Sequence, residues 1–274
     1  RGIAVLCEKP CGATLQECAG LVALAEEGEV CAAAGLEYRY EAGIAGLIDL
    51  VRNGEIGAVT EISVVWRTRG GLNPNRLWSW RDDTTCGGGV LNEFCTHVFD
   101  YLPLLAGAPI DRVRCTARTI VTERPDKNGT MRPVLAPDDV EIEGVFENGV
   151  STKVNVSNAS SERSGHHIKV QGELGTAQFD HATPFALGGS SLAVETRKGR
   201  SMQTLPRNDP FDGLDSRCPA IAEMVDDFLR SLRGENRQRM AKLSDCHVAR
   251  QCISAAELSS ASGQWAPRQT QRST

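Results

Sequence analysis

The sequence predicts a small α/β unit followed by a larger α+β domain, whose sheet is mostly antiparallel and flanked by helices. Three observations lead there. Residues 3–7 and 30–34 are short apolar runs separated by one amphipathic helix, the grammar of a βαβ unit with parallel strands and a right-handed crossover. Six later segments alternate in polarity or run β-branched, with turns between them. The chain then closes on two stretches of helical periodicity.

Each element has a local reason. The first helix is signed by Thr14 with Glu17 three residues on, a capping box, and by Leu15, Cys18, Leu21, Val22 and Ala25 at helical spacing before Gly28. A second helix is expected over residues 41–52, where Ile44, Leu47, Ile48 and Val51 share a face and Asn53-Gly54 ends it. Strands are expected at 59–69, 113–123, 140–146, 151–156, 167–171 and 192–197, divided by turns such as Glu147-Asn148-Gly149. One helix is expected over 91–105, and the closing pair over 219–232 and 245–262. The boundary between the two units is placed near Gly35.

Composition narrows the function classes. The 35 acidic residues outnumber the 30 basic ones, which argues against a nucleic-acid binder and toward a small-molecule ligand. The apolar runs are far shorter than the roughly 20 residues of a membrane span, and no leader pattern opens the chain, so a cytoplasmic location is expected. Ten cysteines lie without C-x-x-C pairs and read as reduced, buried small hydrophobes. Cys7 with Cys11, and Cys246 with Cys252, are closely spaced, but no metal site is expected. Arg1 is no initiator and the first strand has nothing before it, so the chain reads as a fragment.

Two constellations suggest chemistry. Cys7-Glu8-Lys9-Pro10 sets a lysine at the carboxyl end of the first strand, where α/β sheets bind ligands. Downstream, Gly87-Gly88-Gly89 opens the helix on which Glu93, His97 and Asp100 fall at i, i+4 and i+7, apart from the apolar face. A secondary alcohol losing hydride also needs a base for its proton, and an imidazole oriented by a carboxylate suits that task. Lys9 would polarise the same oxygen. The same spacing also suits an ordinary solvated face with a weak i, i+4 pair. Tyr38-Arg39-Tyr40 and Trp78-Ser79-Trp80-Arg81 offer aromatics and cations for a hydroxyl-rich ligand, or plugs for an inter-domain seam. The triple glycine lacks the spacing of a phosphate turn and reads as close backbone packing.

In series, Glu8-Lys9-Pro10, Tyr38-Arg39-Tyr40, Asn53-Gly54-Glu55-Ile56-Gly57, Gly87-Gly88-Gly89 with His97 and Asp100, Glu147-Asn148-Gly149, Gly172-Glu173-Leu174-Gly175-Thr176 and Asp226-Asp227-Phe228-Leu229 resemble the Gfo/Idh/MocA family of nicotinamide-dependent oxidoreductases. The resemblance implies the remnant of a Rossmann sheet over residues 1–35, a substrate-binding and catalytic α+β domain over 36–266, and a flexible tail over 267–274. It implies NAD or NADP as cofactor, with Glu8, Lys9 and Pro10 at the nicotinamide end. It implies Lys9, His97 and Glu93 as the catalytic group, and beside it Tyr38, Arg39, Trp80, Arg81 and Asp100 are expected to contact the substrate.

The substrate class implied is a sugar, cyclitol or related polyol, and the open sheet is expected to build a homo-oligomer. Two departures stand out. Glu93 replaces the family's usual aspartate, and Glu37 stands where many members carry asparagine. The Gly-x-Gly-x-x-Gly turn that receives the pyrophosphate is expected to precede Arg1. Alternatives of the same architecture are an NAD-dependent glycosidase and a non-catalytic sugar-sensing regulator.

Overall fold

The computed structural model describes residues 2–162, 165–181, 190–205, 215, 217–235 and 239–270. Strand β1 (Val5–Glu8), helix α1 (Leu15–Glu27) and strand β2 (Ala32–Gly35) form the expected βαβ unit, with β1 and β2 parallel. The capping box is present: Glu17 N–H donates to Thr14 Oγ1 at 3.2 Å, and the Glu17 carboxylate accepts from Thr14 N–H at 3.0 Å. A single 3-10 turn, Glu37–Tyr40, follows β2 directly, and all four of its residues are buried.

Helix α2 (Ala42–Arg52) leads to strand β3 (Val59–Arg67). Two helical segments, α3 (Val90–Glu93) and α4 (Cys95–Ala106), precede strand β4 (Ile110–Arg118) and a small hairpin of β5 (Glu123–Pro125) and β6 (Met131–Pro133). Then come β7 (Asp139–Phe146), β8 (Ser151–Ser157), β9 (His166–Gly172), β10 (Gly175–His181), β11 (Ser190–Thr196) and β12 (Gly199–Leu205). Helices α5 (Cys218–Ser231) and α6 (Leu243–Ser262) and the short strand β13 (Ala266–Pro267) end the described chain.

Nine strands build one open sheet in the order β12-β11-β10-β9-β3-β8-β7-β4-β13. All its pairs are antiparallel except β3 with β8. Period-two alternation sets its faces. Ile62, Val64 and Trp66 of β3 and Thr152, Val154 and Val156 of β8 point to the core, while Glu61, Lys153 and Asn155 point outward. The inner face joins Ile44, Leu47 and Ile48 of α2, Val98, Phe99, Leu102 and Leu105 of α4 and Ala249, Cys252, Ile253 and Ala256 of α6 in one core. The large open sheet with flanking helices is the architecture expected.

Four details differ. Strands β6, β10, β12 and β13 fall outside the expected set, as does β5 beyond Glu123; β12 is an edge strand exposed along nearly its whole length, so its sequence has no apolar alternation to read. Pro267 belongs to β13, beside β4, and Arg268 N–H donates to Asp111 O at 2.8 Å, so the expected tail does not begin at 267; residues 271–274 lie outside the described set. Cys31 and Cys86 are exposed, unlike the other cysteines, which are buried or half-buried.

The fourth difference matters most: the helix expected over 91–105 is broken at Phe94. Lys9 Nζ donates to the Glu93 carbonyl at 2.7 Å, and His97 N–H instead reaches Phe94 O at 3.1 Å. A side chain entering the i→i−4 ladder is a recognised cause of such breaks.

Candidate active site

The carboxyl ends of β1 and β2 open onto a cavity of about 530 Å³. Its wall is made by Glu8, Lys9 and Pro10 after β1, Glu37 and Tyr38 after β2, Trp66 at the end of β3, and Phe94 and His97 at the helix break. Trp80, Arg81 and Glu93 form one rim, and Asp215 with Arg217 the other. The Lys9–Pro10 peptide is cis. Lys9 and His97, 88 positions apart in sequence, thus face one space.

Local sequence explains how each group is held. Lys9 is anchored by the carbonyl that the helix break frees. Gly88 lets the Trp80–Arg81 turn lie against the start of α3, because a Cβ there would stand 2.5 Å from Arg81 O and 2.6 Å from Trp80 O. Gly89, at φ +94°, turns the chain into the helix against Pro137. The triple glycine therefore serves close packing, as its spacing indicates. The guanidinium of Arg81 lies 4.5 Å from the ring centre of Trp80, and its Nε donates to Glu93 Oε2 at 3.0 Å.

His97 is buried between rings. Its centroid is 4.5 Å from that of Tyr38 and 6.3 Å from that of Trp66. Tyr101 Oη lies 2.9 Å from His166 Nε2 in the layer behind, where His166 stacks on Trp66. Burial pushes the His97 imidazole well below its ordinary pKa, and the charge of Lys9 adds to the effect, so the ring is neutral near pH 7. Burial likewise lowers the Lys9 ammonium, against the pull of Glu37, Glu8 and Glu93. Burial raises Glu93, opposed by Arg81 and Lys9, and raises Glu37, opposed by its own backbone N–H and by Lys9.

Several expected site residues sit elsewhere or pair otherwise. Arg39 and Asp100 do not line the cavity: Arg39 Nε and Nη2 donate to the two Asp100 oxygens at 2.7 and 2.5 Å, and Arg39 also meets Asp245 of α6 at 3.1 Å. They join the turn after β2 to α4 and α6, because a bidentate pair spends both charges on each other. Glu93 does not meet His97, since the break at Phe94 turns its carboxylate to Arg81. Among the described residues, the carboxylate that comes within 4.0 Å of the imidazole is Glu37, with Oε2 3.9 Å from His97 Nε2.

Sequence reading did not place Trp66, Phe94, Asp215 and Arg217 in the lining, and marked Glu37 only as a departure from the family's usual asparagine. Trp66 lies inside an expected strand, and Phe94 on the apolar face of the expected helix. Glu37 carries one usable signal, a charged residue set directly against the end of an apolar strand.

Comparison with known proteins supplies the lineage. A family model described as the GFO/IDH/MocA C-terminal domain matches residues 44–178. An uncharacterized oxidoreductase of Synechocystis sp. is 28% identical over 234 residues, 83% of this chain and 63% of that protein. Glucose-6-phosphate 3-dehydrogenase of Bacillus subtilis is 28% identical over 219 residues, 77% of this chain and 61% of that protein. The chain thus spans less than two thirds of the length of these curated relatives.

Levoglucosan dehydrogenase, solved in complex with NADH and levoglucosan, shares the fold at a TM-score of 0.84 and 21% identity, covering 98% of this chain and 74% of that one. Over residues 44–178 the chain carries a GFO/IDH/MocA C-terminal domain, and the two oxidoreductases above are its relatives over most of its length.

Proposed function

We propose that the protein transfers hydride reversibly between a nicotinamide dinucleotide and a secondary alcohol of a sugar, cyclitol or related polyol. The observation that supports this most is convergence: an ammonium and a neutral imidazole line one cavity whose volume is in the range of small-molecule sites. The printed names of relatives, a glucose-6-phosphate dehydrogenase and a levoglucosan dehydrogenase with NADH, point the same way.

The residues present suit the reactive end of such a cofactor. Glu8, Lys9 and Pro10 would hold the nicotinamide beside the flat walls of Tyr38 and Trp66. Trp66 Nε1, on a lining residue, is buried without a hydrogen-bond partner among the described residues, a deficit that a ligand atom or water would fill. When bound, the nicotinamide supplies the donor or acceptor of hydride at the alcohol carbon.

The chain's own groups do the rest. His97 Nε2 takes the hydroxyl proton as general base and returns it as acid in the reverse direction. Lys9, fixed on the Glu93 carbonyl, sets a positive charge beside the oxygen as it loses its proton. Trp80 offers a ring face at the rim, with Arg81 across it. In the intact protein, assayed on a polyol panel with NAD and NADP, His97→Ala and Lys9→Met are each expected to lower kcat by roughly 10²-fold or more. Near-normal turnover in both variants would remove the assignment.

A second copy of the chain is proposed to pack on the outer face of the large sheet. A groove of about 520 Å³ runs there over β3, β8, β7 and β4 among Val65, Lys153 and Glu141. Sedimentation velocity that returns only monomer would end that reading.

A further inference from the structure

We propose that Glu37, and not Glu93, is the positioning carboxylate of this site, acting on the protonated ring of His97 at Nε2. The inference rests on the dehydrogenase reading above for its kinetic consequence, though not for its electrostatic one.

Three carboxylates stand close to His97 along the chain or across the turn: Glu93, Asp100 and Glu37. The first two are spent. Glu93 accepts from Arg81 at 3.0 Å, and Asp100 is held bidentately by Arg39. Glu37 is different. Its side chain is only 6% exposed, its Oε2 lies 3.9 Å from His97 Nε2, and its Oε1 lies 3.9 Å from Arg217 Nη1. Both distances exceed a hydrogen bond, yet they suit an ion pair once the ring is charged. His97 Nδ1 is enclosed and unpartnered, so Nε2 is the nitrogen left to receive a proton.

The charges around the ring make the case sharper. From the loop after β1 comes Lys9, from β9 His166, and from the segment before α5 Arg217; each disfavours a positive imidazole. Glu37, at the end of β2, faces it with the opposite sign. As the alcohol O–H bond breaks and the N–H bond forms at Nε2, the ring gains a positive charge in a buried wall. The Glu37 carboxylate is the group placed to offset it; burial raises its pKa, while its own backbone N–H, Lys9 and Arg217 pull it back toward the charged form.

Glu37→Gln keeps the shape and removes the charge. In the intact protein it is expected to lower kcat on the order of 10- to 100-fold, below the full general-base effect of roughly 10²–10⁴. KM should change little, and the acid limb of the kcat/KM profile should move to lower pH, because the ring becomes less basic. Glu93→Gln should leave that limb in place. An unmoved limb in Glu37→Gln, or an equal movement in Glu93→Gln, would overturn the proposal.

The His97 ring titration, followed by NMR, decides the matter even if no alcohol is turned over. A lower midpoint in Glu37→Gln with an unchanged one in Glu93→Gln supports the assignment, and equal midpoints in all three proteins defeat it. If Glu37→Gln does not fold, Glu37→Asn takes its place, since it also removes the charge: a lowered midpoint supports the proposal, and one equal to wild type counts against it.

Discussion

Glu37 and Arg39 lie two residues apart on one buried turn, and His97 and Asp100 three apart on α4, yet the first of each faces the cavity and the second does not. Arg39 and Asp100 close on each other at 2.5 and 2.7 Å, and Asp245 adds a third charge. Their hydrogen-bonding capacity is used inside the protein, and they tie the turn to α4 and α6. Glu37 and His97 approach no nearer than 3.9 Å and border the opening. Buried charge that is fully paired holds structure; buried charge left partly unpaired beside a cavity is available to a ligand. The same backbone builds both.

The comparison breaks first on kinetics against stability. His97→Ala and Lys9→Met should cost roughly 10²-fold or more in kcat, about 3 kcal/mol in the barrier, with kcat counted on the folded fraction. Arg39→Met or Asp100→Asn should do the reverse. Removing one partner of a buried pair strands the other, so unfolding free energy should fall by about 3–5 kcal/mol while the folded fraction keeps its cavity groups. If Arg39→Met abolished turnover at unchanged stability, the two clusters would have been assigned the wrong way round.

Gly88→Ala should sit between them. A Cβ at 2.5 Å from a carbonyl oxygen forces the Trp80–Arg81 turn to move, at a cost of about 1–3 kcal/mol in stability, and should raise KM because that turn rims the cavity.

The pH profile sharpens the same contrast. A neutral base whose pKa is lowered stays active as pH falls, so the acid limb of kcat/KM should lie below the ordinary histidine value of 6.5. An ammonium whose pKa is lowered loses its proton sooner, so the alkaline limb should lie below 10.5. The smallest effect belongs to the exposed i, i+4 pair Asp226–Arg230 on α5, where Asp226→Asn should change stability by no more than about 0.5 kcal/mol.

Much of the architecture could be read locally. The capping box at Thr14, the apolar face of α2, and the inward Ile62, Val64 and Trp66 of β3 each follow from a period in the sequence. Strand β12 could not, because an edge strand exposed on both faces imposes no pattern on GRSMQTL. The candidate site was legible in its two ends, Lys9 and His97, and illegible between them. Spacing paired Glu93 with His97 on one helix, but Lys9, 84 residues away, takes the Glu93 carbonyl at the point where that helix breaks.

Periodicity, caps and turn residues belong to the sequence alone, and they were sufficient for the βαβ start and the mostly antiparallel sheet; the series of short motifs carried the family resemblance. Which carboxylate meets which cation was decided only in three dimensions. Side chains two or three residues apart on a turn or helix point in different directions, and the partners that neutralise them arrive from distant strands and helices. Glu37, Arg39, Glu93 and Asp100 are equally polar in the sequence; long-range packing alone spends two of them on each other, gives one to Arg81, and leaves the fourth facing His97.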